Sequence, residues 1–107
     1  MHNTKIFKLI LGYINFMKAR AAVNFKGKVQ GVFFRANTRD AAERFGIKGW
    51  VKNLWDGSVE AVFEGEKEDI EKVISWCENE QPHAQVNKIE VKWEEYKGEF
   101  RGFEIRY

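Results

Sequence analysis

With 107 residues, one proline, one cysteine and an apolar fraction of 44%, the chain suits one packed domain and excludes disordered, fibrous and disulfide-framed classes. No continuous apolar run approaches the roughly 18 residues of a membrane span, and no Cys/His cluster has zinc-ligand spacing. The net charge of +2 hides an asymmetry: residues 1–52 carry eleven Lys/Arg against two acids, and residues 53–107 seven against fourteen.

Residues 6–17 are apolar except at Lys8, Gly12 and Asn15, a spacing that would put one narrow polar stripe on a helix. Lysines interrupt the run and no small-residue cleavage site follows, so a secretory signal is not expected. Residues 1–18 are read as an extension, and the domain as 19–107. From residue 20 to 26 the pattern alternates, with Ala21, Val23 and Phe25 on one face of a strand.

Gly27 and Gly31 then permit tight or left-handed backbone that turns successive N–H groups toward one point. A helical pattern follows over residues 33–45, with Phe34, Ala41, Ala42 and Phe45 at compatible spacing and Gly46 as its stop. The unpaired N–H groups and positive end of that helix face the same point. Arg35 adds a planar fork of donors suited to phosphate or carboxylate.

Residues 47–54 read as the second strand, and Trp55-Asp56-Gly57-Ser58 as a hairpin turn, since Asp-Gly tolerates positive φ. Residues 59–64 alternate again. A second helix spans 66–79, with Ile70, Val73, Ile74 and Cys77 forming a buried stripe and Glu66, Glu68 and Asp69 at its favourable end. Pro82 marks a loop, and strands at 86–95 and 102–107 complete the chain. The order β-α-β-β-α-β plus one terminal strand predicts an α+β, ferredoxin-like sandwich, an antiparallel sheet with two helices on one face.

In that topology the first two strands are parallel, so both end at the same sheet edge. The glycine turn with Arg35 and the end of the second strand at Asn53 are therefore expected together. The run Val29-Gln30-Gly31-Val32-x-Phe34-Arg35, with Gly49-Trp50-Val51-x-Asn53 and Asp56-Gly57-x-Val59-Glu60 in order behind it, resembles the acylphosphatase family from about residue 19 to the end. The resemblance implies this same fold, and hydrolysis of acyl phosphates with the matching Arg35 and Asn53 as the catalytic pair.

The residue types independently limit the chemistry. Arg35 cannot act as a base and Asn53 cannot titrate; His2 and His83 fall outside the motif. Anion donors and a neutral amide suit a leaving group that departs without a proton, and a carboxylate, with its pKa near ~4, does so. Arg35 and the backbone N–H groups of Gln30, Gly31, Val32, Phe33 and Phe34 would hold a phosphoryl group, and Asn53 the attacking water. Trp55 is set beside the acyl group, and Lys28 and Lys52 add only to the surrounding field. The expectations are a small acyl phosphate as ligand, no cofactor, no metal, no nucleic acid and no membrane. A monomer in the cytoplasm is expected, with lone Cys77 suited to a reducing compartment. The rival reading is a non-catalytic anion- or RNA-binding module of the same fold, against which stands the lack of a second aromatic motif.

Overall fold

Alternation builds the sheet. Strand β1 (Lys18–Lys28) buries Ala21, Val23 and Phe25 on one face and turns Arg20, Asn24 and Lys26 to the other. β2 (Lys48–Asn53) buries Gly49 and Val51, and β3 (Val59–Glu66) buries Val59, Ala61 and Phe63 toward the same core. Helix α1 (Phe34–Arg44) lies between β1 and β2 in sequence, and α2 (Lys67–Asn79) follows β3 without a loop. β4 (Gln85–Glu94) and β5 (Phe103–Arg106) complete the order. The computed structural model describes residues 17–107 and Ile6, so the extension assigned to residues 1–18 lies almost wholly outside the described residues.

The five strands lie in the order β4-β1-β3-β2-β5. β3 pairs antiparallel with both β1 and β2, which makes those two parallel to each other with one strand between. The ferredoxin-like core is thus antiparallel at every contact, while the added strand β5 joins β2 in parallel and makes the whole sheet mixed. Both helices cover the apolar face, α1 over β2 and β5, α2 over β1, β3 and β4.

Helix α1 ends in a two-bond lock in which Ile47 N–H donates to the Ala42 carbonyl (2.8 Å) and Gly46 N–H to that of Glu43 (3.1 Å). Gly46 makes this possible at φ 69°, the left-handed stop that lets the chain turn into β2. Ile70, Val73 and Cys77 of α2 are buried in the core, and burial pushes the Cys77 thiol upward in pKa, away from the reactive thiolate.

The other sheet face is partly covered by the β4–β5 connection. Glu64 of β3, only 2% exposed, accepts N–H bonds from Lys97 (2.7 Å), Gly98 (3.3 Å) and Glu99 (3.3 Å). Arg20 reaches the same carboxylate (3.4 Å) and also pairs with Glu94 and Glu99. Those bonds to Glu99 and Glu64 outweigh the effect of burial and raise the Arg20 pKa further. A buried carboxylate needs such partners to remain in the fold.

Candidate active site

The chain between β1 and α1 is shaped by two left-handed residues, Gly31 at φ 74° and Phe33 at φ 59°. Alternation of this kind points successive N–H groups at one place. Phe33 is the N-cap of α1, yet no side chain caps the helix and no acid occupies its first turn. The first intrahelical bond runs from Asn37 N–H to the Phe33 carbonyl (3.0 Å), so the N–H groups of Phe34 and Arg35 precede the helical ladder.

Phe34 anchors this start, packing edge-on against Phe25 of β1 at 5.2 Å between ring centres. Its carbonyl accepts from Gln81 Nε2 (3.1 Å), which also donates to Thr38 Oγ1 (2.8 Å). The cradle is therefore tied to the end of α2 as well as to β1.

Arg35 and Asn53, eighteen positions apart, line one cleft of about 440 Å³ together with Val29, Gly31, Phe33, Phe34, Ala36, Ile105 and Tyr107. The Arg35 guanidinium lies 4.7 Å from the centre of the Tyr107 ring and donates to the Arg106 carbonyl (3.3 Å). It has no carboxylate partner among the described residues, so its charge remains available to an anion. The Asn53 carboxamide likewise makes no hydrogen bond to a described residue. Among the described residues no carboxylate, imidazole or thiol side chain lines the cleft.

The other expected site residues divide. Gly31, Phe33 and Phe34 line the cleft, whereas the Val32 side chain is buried in the core and offers only its backbone. The Gln30 side chain spans two elements: Nε2 donates to the Leu54 and Ser58 carbonyls, both at 2.8 Å. It fastens the cradle to the β2–β3 turn, one residue beyond Asn53. That turn is held by Asp56, which accepts from Ser58 N–H (2.9 Å) and Ser58 Oγ (2.5 Å), and Asn24 donates to the same Oγ (3.0 Å). The bonds from Ser58 keep the Asp56 carboxyl below the usual carboxylate range.

A family model described as Acylphosphatase matches residues 21–105. The chain belongs to the acylphosphatase family. It is 56% identical over 89 residues to an acylphosphatase of Aeropyrum pernix, covering 82% of this chain and 88% of that one. Identity to an acylphosphatase of Pelotomaculum thermopropionicum is 50% over 90 residues, 84% of this chain and 98% of the relative. The solved acylphosphatase of Coxiella burnetii superposes with a TM-score of 0.79 at 35% identity, covering 85% of this chain and 95% of that structure. These relatives favour the hydrolase reading over the RNA-binding one.

Sequence reasoning missed the β5 side of this candidate cleft. Ile105, the Arg106 carbonyl and the Tyr107 ring reach it because β5 lies beside β2. No motif marks them; only the parallel pairing brings them to Arg35. Among the described residues no group of three or more His, Cys, Asp or Glu could hold a metal ion, and no helix is long and apolar enough to cross a membrane.

Proposed function

We propose that this cleft hydrolyses acyl phosphates, with Arg35 and the backbone N–H groups from Gln30 to Phe34 holding the phosphoryl group and Asn53 holding the attacking water. As a member of the acylphosphatase family, the protein is an acyl phosphate hydrolase. The observation that carries the residue assignment is the meeting in one cleft of a helix start without a side-chain cap and, among the described residues, a guanidinium with no carboxylate partner and a carboxamide with no hydrogen bond.

The chemistry follows from those groups. Water held by the Asn53 carboxamide attacks phosphorus in line with the acyl oxygen. The bond from phosphorus to that oxygen breaks, its electron pair leaves with the carboxylate, and the water proton passes to a phosphoryl oxygen. The carboxylate is stable at neutral pH without a proton donor. Arg35 and the fixed N–H dipoles stabilise the charge that spreads over the phosphoryl oxygens in the transition state.

The same reading takes the protein as a metal-independent monomer of the cytoplasm, acting on no nucleic acid. Its working domain is residues 19–107, with residues 1–18 outside it. Buried, unpaired Cys77 supports the reducing compartment.

Hydrolysis of acetyl phosphate in chelator-treated buffer tests the proposal, with inhibition by inorganic phosphate measured alongside. Asn53→Ala is expected to lower kcat by roughly 100-fold, the scale of losing one positioned group, while phosphate still inhibits. Equal loss of turnover and phosphate inhibition would remove the water-holding role, and loss of wild-type activity on chelation would remove metal independence.

A further inference from the structure

Phe33 combines two features that its backbone role does not explain. A bulky residue at φ 59° is a backbone outlier that costs about 1–3 kcal/mol. Glycine would present the same N–H to the cradle without that cost. The ring is also 80% exposed and, among the described residues, meets neither an aromatic nor a cationic partner. Neighbouring Phe34 is buried against Phe25, and Tyr107 carries Arg35 on its face. A large apolar ring is thus held at the lip of the cleft, in a strained conformation, with no ring or cation against it among the described residues.

Among the described residues two exposed aromatics without a ring or cation partner flank the site, Phe33 and Trp55, and the direction of attack separates them. Asn53 lines both the cradle cleft and a neighbouring one of about 360 Å³ formed with Gln30, Lys52, Leu54, Trp55 and Tyr107. Phe33 lines only the first and Trp55 only the second. A phosphoryl group in the cradle, attacked by water from Asn53, must expel its leaving group on the side away from Asn53. Phe33, at the start of α1, lines the cradle cleft, whereas Trp55 is two residues from Asn53 and lines only the neighbouring cleft, on the side that supplies the water.

We infer that the Phe33 ring is the wall against which the acyl group of the substrate packs, and that it selects acyl phosphates with a planar aromatic or extended apolar acyl part. The inference rests on the assignment of the cradle and Asn53 made above. Offset or edge-on ring contact strengthens binding of an aromatic acyl group and not of an acetyl group. Because the acyl group is still attached in the transition state, the contact raises kcat/KM for that substrate class.

The test compares kcat/KM for benzoyl phosphate and acetyl phosphate in the wild type, Phe33→Ala, Phe33→Gly and Trp55→Ala. Both Phe33 variants are expected to lower the benzoyl-to-acetyl ratio by roughly 5- to 10-fold, and Trp55→Ala to leave it unchanged. Phe33→Gly should in addition melt at a higher temperature than Phe33→Ala, since it accepts the left-handed backbone. An unchanged ratio in Phe33 variants that still hydrolyse acetyl phosphate overturns the inference and leaves the proposed function standing. A ratio that falls only in Trp55→Ala moves the acyl group to the other cleft and overturns both the inference and the direction of attack. Failure of the folded wild type to hydrolyse either compound removes the proposed function and this inference together.

Discussion

The protein builds two backbone nests for negative charge and treats them in opposite ways. One, at Lys97–Gly98–Glu99, turns through Gly98 at φ 63° and is filled by the protein's own Glu64 carboxylate. The other, from Gln30 to Phe34, turns through Gly31 and Phe33 and meets no acidic side chain among the described residues. Similar local geometry serves architecture where the anion is covalently part of the chain and, in the proposed site, ligand binding where it is not. The surrounding charges follow suit: Arg20 beside the first nest is bound to three carboxylates, whereas Arg35 beside the second rests on a carbonyl and an aromatic face.

The contrast breaks most visibly at its two arginine-and-anion centres. Arg35→Ala should lower kcat/KM for acetyl phosphate by about 1000-fold or more, the upper range for removing one transition-state donor, with thermal stability nearly unchanged. Glu64→Ala should do the reverse. Removing a buried, paired carboxylate costs about 3–5 kcal/mol, read by urea denaturation, and it leaves the cleft residues themselves intact. Comparable stability losses in both variants would dissolve the distinction between the nests.

Gln30 sharpens the comparison, because its side chain serves architecture while its backbone belongs to the cradle. Gln30→Met keeps the length but loses both donors at 2.8 Å to Leu54 and Ser58. Two neutral hydrogen bonds represent about 1–3 kcal/mol. The variant should lose roughly tenfold in kcat, through misplacement of Asn53 relative to the cradle, with a smaller change in inhibition by phosphate.

The smallest effect is expected at Asp56, where bonds from Ser58 depress the carboxyl pKa in the folded protein. A depressed folded value means that the ionised form favours the fold. The contribution is therefore present above the ordinary carboxylate range and is lost as pH falls through that range and below it. Melting temperatures followed from pH 7 to pH 3 should decline less steeply in Asp56→Asn than in the wild type.

Much of this arrangement was legible in the residues. Alternation at Ala21, Val23 and Phe25 gave β1 its inner face, Gly46 marked the end of α1, and chain order placed Asn53 near Arg35. The architectural roles were harder to read. Glu64 sits in an alternating strand where a glutamate signals solvent, and only the folded-over β4–β5 connection buries it. In the sequence Phe33 counts only through its backbone N–H at the start of the helical pattern, because its φ angle is a property of the loop rather than of the residue. The Arg106 carbonyl and Tyr107 ring carry no sequence signal at all, since their role comes from strand neighbourhood.

The clasp on Arg35 has a bearing on how the molecule comes into being. The Arg106 carbonyl that receives its guanidinium is 71 positions away along the chain, on an edge strand held to the sheet through β2. Contacts of such sequence separation must meet their loop-closure cost before they stabilise the fold, and they slow folding. A nascent chain can therefore possess the glycine turn, the helix and even the Asn53 hairpin while its arginine still swings free. Activity regained on refolding is therefore expected to lag behind the signals of helix and hairpin formation.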